Sequence, residues 1–204
     1  MPTLTIDAPK QQAGTARFLI PQGHTLLLDS HDMEGHRSLR LTSGLVRVGL
    51  SSAVAEPLDC RPITLGFLQN GDSIALEALR HSWLHLEALD ATTLVDGGGL
   101  LPCEGCSSLH EWTTAMLLIQ HLGHAEHRLR ALMQLMVDRL GRRCGAWYEL
   151  PMHLSHERIA EIVSHSRVTV TKTLGHWRRA GLIDTQLNAA GGLRISPRLV
   201  ELGV

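Results

Sequence analysis

The sequence predicts an α+β chain in which a strand-rich amino-terminal half passes through a long helix into a carboxyl-terminal winged helix-turn-helix. Three observations carry this. Between Phe18 and Leu94, short apolar stretches are broken by turn residues, the pattern of an antiparallel sandwich or jelly roll rather than of alternating β-α units. From Leu109 onward the apolar residues recur at helical spacing. Leu154 to Ile183 then reads as two short helices with only Ser164 and His165 between them, too few for a free loop. The domain boundaries are expected at 1–106 for the strand-rich domain, 107–123 for the connecting helix and 124–204 for the helix-turn-helix domain.

The formal net charge of −1 hides an asymmetry. Residues 1–106 carry 7 Lys/Arg against 12 Asp/Glu, and residues 107–204 carry 12 against 8. The change from −5 to +4 across the boundary suits a regulatory half joined to a half that faces polyanionic DNA. No cationic leader precedes an apolar core and no apolar run reaches transmembrane length, so a cytoplasmic location without a membrane partner is expected. Four cysteines in a chain this long do not make a disulfide framework, and a reducing cytosol keeps them as thiols.

In chain order, MPTLTIDAPKQQAG reads as a loose arm. FLIPQGHTLLL and LRLTSGLVRVGL fit strands around turns at Gln22-Gly23 and Ser43-Gly44, and PITLGFLQNGDSIAL repeats the pattern around Asn70-Gly71-Asp72. Arg40 and Arg47 fall among Leu39, Leu41, Leu45, Val46 and Val48, as in a half-buried antiparallel sheet, and WLHLEALD supplies a later strand. Cys103 and Cys106 then form a C-x-x-C pair with His110 four residues beyond. This is either the corner of a soft-metal or thiol site or a pair of ordinary reduced cysteines beside a helix start. Only two ligands are compactly supplied, so no metal and no cofactor is expected.

The helix expected over 109–122 carries Leu109, Trp112, Met116, Ile119 and Leu122 on a broad apolar surface. Such a surface serves as globular core or as the face of a partner helix. His121, His124 and His127 read as a solvated, protonatable edge. EHRLRALMQLMVDRLG gives a second helix buried through Leu129, Leu132, Met133, Leu135, Met136 and Leu140, with Met as adaptable core filler. Residues 141–151 make a turn into the helix-turn-helix.

There, Ser155 is placed to N-cap the first short helix and Ser166 the second, with Gly181 as the residue that ends it. Arg167, Thr169, Thr171 and Lys172 fall near the exposed start of the second helix, and Arg178 and Arg179 lie farther along. A guanidinium can fork onto guanine, while hydroxyls and an ammonium reach bases or phosphates. TQLNAAGGLRIS forms a small wing around Gly191-Gly192, from which Arg194 and Asn188 can reach backbone phosphates, and Pro197 marks its end.

HERIAEIVSHSRVTVTKTLGHWRRAGLI resembles the DNA-binding segment of the cyclic-AMP receptor protein and fumarate-nitrate regulator superfamily, and its SRVTVTKTLG run is especially similar to that of the cyanobacterial nitrogen regulator. The P-Q-G-H, S-G-L-V-R-V and F-L-Q-N-G-D runs resemble landmarks of the same superfamily's cyclic-nucleotide-binding-type β-roll, so the resemblance covers nearly all of the chain after residue 17. It implies that Arg167, Val168 and Lys172 take the three base-reading places. It also implies a homodimer held by the helix at 109–122, presenting two recognition helices to an approximately palindromic duplex, with room for a contact to RNA polymerase or a coactivator.

The departures are informative. Val168 stands where the catabolite regulator has Glu, and Ser164 replaces the usual turn Gly. The cysteines do not match the amino-terminal cluster of the iron-sulfur members. Members that bind cyclic AMP carry Gly-Glu-Leu followed by Arg-Ser, whereas here Ala75 and Leu76 occupy the Gly and Glu places and RHSWLHLE lacks the Arg-Ser pair, leaving only Arg80 as a cation. A phosphate without those partners is costly to bury, so cyclic AMP is disfavoured and either a carboxylate effector or none is left. The expected function is a homodimeric, sequence-specific DNA-binding transcription regulator. The alternative is a protein-interaction module with weak or lost DNA binding, distinguished by salt-dependent retention on duplex DNA. An enzyme is not expected, since the carboxylates and histidines are scattered and no nucleophile motif or phosphate-cradling glycine loop is present.

Overall fold

Among its described residues the amino-terminal half holds nine strands in two sheets: β1 (Thr3–Leu4), β2 (Arg17–Ile20), β3 (Thr25–Leu28), β4 (Ser38–Ser43), β5 (Leu45–Ser52), β6 (Ile63–Gln69), β7 (Ser73–Ala75), β8 (Ser82–Ala88) and β9 (Thr92–Asp96). The computed structural model describes residues 3–4, 17–29, 38–52, 61–76, 82–97, 106–184 and 192–201. One sheet has the order β1-β3-β8-β5-β6 and the other β2-β9-β4-β7. Alternate residues of both turn inward, so Leu26, Leu28, Leu39, Leu41, Val46, Val48, Leu84, Leu86 and Leu94 share one core.

The turns at Gly23, Gly44 and Gly71 behave unlike hairpin tips. β2 and β3 belong to different sheets, and so do β4 and β5, and β6 and β7. Each glycine therefore marks a corner at which the chain steps from one sheet to the other. Gly44 shows why: its φ is +96°, and a Cβ there would stand 2.5 Å from the Thr92 hydroxyl.

Arg47 departs from the alternating reading. Arg40 is exposed, but Arg47 is only 2% exposed on the other face of its sheet. It pairs with Glu87 across the β5–β8 register and donates to the Thr64 hydroxyl at 2.7 Å. Next to it, Ser51 and His85 share a buried hydrogen bond of 2.8 Å. This face is covered at Gly66, where an added Cβ would collide with Trp112, whose indole also meets Phe67 edge-on at 5.3 Å.

The helices begin with α1 (Cys106–His121) and α2 (Ala125–Leu140). The chain divides into two compact units, Met1–Thr114 and Ala115–Val204, and the division falls inside α1. α2 buries Leu129, Leu132, Met133, Met136, Val137 and Leu140 at helical spacing, with Val137 rather than Leu135 completing the stripe. Then come β10 (Arg142–Cys144), β11 (Trp147–Glu149), α3 (His156–Ile162), α4 (Arg167–Arg179), β12 (Ile183–Asp184), β13 (Arg194–Ile195) and α5 (Pro197–Val200). The four short strands form an antiparallel sheet in the order β10-β11-β13-β12.

Two of these elements were not expected from sequence. Residues 141–151 hold a hairpin, β10–β11, rather than a simple turn, and Pro197, which marks the end of the wing as expected, also begins the short helix α5, with Ser196 as its N-cap. Of the arm read as loose, Thr3 and Leu4 form β1, paired parallel with β3; its other residues, with Cys60, Arg80, Cys103, Asn188 and Gly191, lie outside the described residues, as does the side chain of Cys106.

Candidate nucleic-acid interface

α3 and α4 are built as their caps demand. The Ser155 hydroxyl accepts from the Arg158 N–H and the Ser166 hydroxyl from the Thr169 N–H, each at 3.1 Å. Both helices also end alike. After α4, the N–H of Leu182 reaches the Trp177 carbonyl at 2.8 Å and that of Gly181 the Arg178 carbonyl at 3.1 Å. After α3, His165 reaches Ala160 at 2.9 Å and Ser164 reaches Glu161 at 3.2 Å. These are paired Schellman endings, which place one residue in the left-handed region. Gly181 does so at φ +66° and Ser164 at φ +53°.

Contacts from the preceding helices fix the pair from behind. Val170, Leu174 and Trp177 bury the inner side of α4 against Ile159, Ala160 and Ile162 of α3 and the adjoining core. The Trp177 indole donates to Glu126 at 3.4 Å, and Arg128 donates to the Val163 carbonyl at 3.2 Å. α2 thus holds both α4 and the turn before it.

The outward side of α4 is a single stripe. At 100° per residue, positions 167, 168, 171, 172, 175, 178 and 179 fall within an arc of about 140°, and Arg167 to Arg178 spans about 16 Å along the axis. Arg167, Val168, Thr171, Lys172, Arg178 and Arg179 are exposed, and Val168 is 62% so. Arg167, Lys172 and Arg178 make no hydrogen bond or ion pair among the described residues. Thr171 shares a 3.0 Å bond with Nδ1 of His156. Burial, with the charges of Arg167, His153 and Arg178, holds the His156 pKa below its ordinary value.

Two expected contacts are already occupied. Thr169 is tied into the cap, its hydroxyl 2.9 Å from that of Ser166. Arg194 is paired with Glu149 at 2.8 Å, which joins β13 to β11. His156 was missed by sequence reasoning, because its bond to Thr171, fifteen residues on, exists only once α3 and α4 are packed together.

The apolar surface of α1 is divided differently from the sequence expectation. Trp112, Met116 and Ile119 are buried in the single chain, and Leu109 packs against the β-core. The exposed apolar residues are Leu117 at 59%, Leu118 at 65% and Leu122 at 37%. Of the stripe named for dimerisation, only Leu122 faces outward. His124 and His127 stand edge to face with ring centroids 5.3 Å apart. No group of three or more metal-ligating side chains occurs among the described residues. No helix there is long and apolar enough to cross a membrane.

Comparison with known proteins agrees with this geometry. Residues 127–196 match the Crp-like helix-turn-helix domain. The chain is 32% identical over 171 residues to the Regulatory protein CysR of Synechococcus elongatus, covering 80% of this chain and 81% of that one. Similar solved structures include a CooA mutant from Carboxydothermus hydrogenoformans, with TM-score 0.67 at 18% identity, covering 92% of this chain and 87% of that one. FixK2 from Bradyrhizobium japonicum superposes with TM-score 0.63 at 16% identity, covering 94% and 98%. A CRP/FNR-family transcriptional regulator from Thermus thermophilus gives 0.60 at 20% identity, covering 91% and 98%.

Proposed function

The chain belongs to the cyclic-AMP receptor protein and fumarate-nitrate regulator superfamily of helix-turn-helix transcription regulators, and on that premise we propose that it is a homodimeric, sequence-specific DNA-binding regulator not controlled by cyclic AMP. The observation that carries this reading is the outward stripe of α4, which gathers three cations without hydrogen-bonded partners among the described residues and an exposed Val168 on one face of a buried-backed helix.

Arg167 reads a base edge, because it stands in the first turn where a guanidinium can fork onto guanine. Val168 meets the groove floor as an apolar side chain. The resemblance to the superfamily's recognition segment gives Lys172 a base-reading place too, and Arg178 supplies phosphate attraction. Thr171 acts with His156 at the edge of this surface. Arg194, engaged by Glu149, supports the wing.

Dimerisation uses the outward residues Leu117 and Leu118 of α1 and Leu122 just beyond it, with the buried Trp112, Met116 and Ile119 as their foundation. Cyclic AMP is disfavoured because Leu76, at the place of the phosphate-binding family's Glu, is 2% exposed and belongs to the β-core. A calorimetric titration that found saturable cyclic-AMP binding at low micromolar concentration would overturn that part.

The test of the whole is to select an operator from random duplexes and compare it with a scrambled site at several salt concentrations. Arg167→Ala is expected to lose about 1 to 3 kcal/mol of discrimination. Arg178→Ala is expected to weaken both sites and to lower the salt slope by about one. If Arg167→Ala weakens both sites by the same factor, Arg167 is a phosphate contact. If the wild-type chain shows no salt-dependent retention on duplex DNA, the regulator reading fails.

A further inference from the structure

The carboxyl-terminal unit contains a cavity of about 210 Å³ between α2, α3, α4 and the short sheet. Met133, Met136, Met152 and Leu174 give it buried apolar walls. Its polar edge is His156, Thr171 and Arg178, of which the latter two are exposed and mark the open side. None of the described lining residues is acidic.

Gly175 adds an independent observation. A glycine inside a helix costs about 1 kcal/mol relative to alanine, yet α4 carries one at its middle, on the cavity wall. Its φ is not left-handed, and a Cβ built there meets no atom within 4 Å. Neither backbone conformation nor crowding requires a glycine here. The missing side chain leaves space that an alanine or leucine would take.

We propose that this cavity is a ligand site for a small monocarboxylate with an apolar body of about one ring. Volume sets the body: an engineered apolar cavity of about 150 Å³ admits benzene, and 210 Å³ leaves room for a head group. The thioether walls adapt to a planar or a short branched body. Charge sets the head. The Arg178 guanidinium offers a charge-assisted, two-pronged contact to a carboxylate, and Thr171 and His156 supply further polar atoms. Burial is the main cause of the depressed His156 pKa and the nearby Arg167, His153 and Arg178 add to it; the two guanidinium charges make the same edge attractive to an anion. An occupied site engages Thr171 and Arg178 and so lowers duplex affinity; this last consequence rests on the DNA-binding reading of α4.

The experiment uses the full chain without DNA, titrated with benzoate, benzyl alcohol and acetate and followed by saturation-transfer NMR and calorimetry. Benzoate is expected to saturate at about 1 mM or tighter, the range open to a ligand of its size. Benzyl alcohol, without the charge, and acetate, without the body, are expected to bind at least about tenfold more weakly. Gly175→Leu fills the cavity from α4 and Leu193→Trp fills it from the sheet side; each is expected to abolish benzoate binding. The proposal is overturned if benzoate does not saturate by about 10 mM, if either control binds as well as benzoate, or if a folded filled variant binds it unchanged. Because binding is read without DNA, a failure here leaves the regulator reading intact. Loss of duplex binding by the wild type leaves the benzoate result standing.

Discussion

Exchanging the residue types at the two Schellman endings isolates one backbone effect. Ser164 and Gly181 occupy the same position after α3 and α4, at φ +53° and φ +66°. Ser164 is exposed, and a Cβ at Gly181 meets nothing within 4 Å, so neither substitution repacks a core. A non-glycine residue in the left-handed region costs about 1 to 2 kcal/mol, whereas glycine gives back about 0.4 to 1 kcal/mol through the freedom of the unfolded chain. The net expectation is that Ser164→Gly stabilises by about 0.5 to 1 kcal/mol, and that Gly181→Ser destabilises by a similar amount. For a chain of this size that corresponds to about 1 to 4 °C in Tm. Urea and thermal unfolding of the full chain, with a far-ultraviolet dichroism check that helix content is unchanged, measure both. Destabilisation by Ser164→Gly, or a neutral Gly181→Ser, would refute the assignment of strain to these turns.

Three further outcomes are expected. Glu87→Ala leaves Arg47 charged and buried and should cost about 3 to 5 kcal/mol, read from the urea midpoint; a loss below about 1 kcal/mol, as for an exposed pair, would show that Arg47 finds water. Leu118→Asp should weaken self-association in analytical ultracentrifugation with little change in Tm, whereas Ile119→Asp buries a charge within the chain and should unfold it; the reverse pattern would restore the original stripe as the dimer face. With the His156 pKa depressed in the folded chain, the unfolded chain binds more protons just below the ordinary histidine pKa of about 6.5. Stability is then full above that value and falls with pH through the depressed folded value. His156→Gln should flatten that part of the stability profile, and an unaltered profile would exclude His156 as its source.

Much of the DNA-binding unit is local in sequence and was legible there. Ser155 and Ser166 cap their helices through N–H groups three residues on, and Gly181 ends α4 through bonds that span one turn. Chemistry at that range needs no knowledge of the rest of the chain. Even the strain was visible, because Ser164 stands at a turn too short for any residue to avoid its backbone. The strands of the amino-terminal half were equally legible, since alternation and turn residues are local. Their pairing was not: each glycine corner turns the chain from one sheet to the other, and which strand lies beside which depends on residues distant in sequence, forty positions away in the pairing of Arg47 with Glu87.

The same division explains the outward faces. Periodicity places Trp112, Met116, Ile119 and Leu122 on one apolar surface of α1, but it has no term for the Gly66 notch that receives Trp112. Only tertiary packing decides that Trp112, Met116 and Ile119 are consumed within the chain while Leu117 and Leu118 are left outside. Arg194 follows suit. Its charge is fixed by the sequence, but its availability is decided by Glu149, brought alongside when β11 pairs with β13. Sequence alone determined which groups carry apolar surface or charge and where helices start and stop, because those are properties of one residue and its near neighbours. Tertiary structure decided which of those groups remain free, because a partner is supplied by a distant part of the chain only after folding has brought it within contact distance.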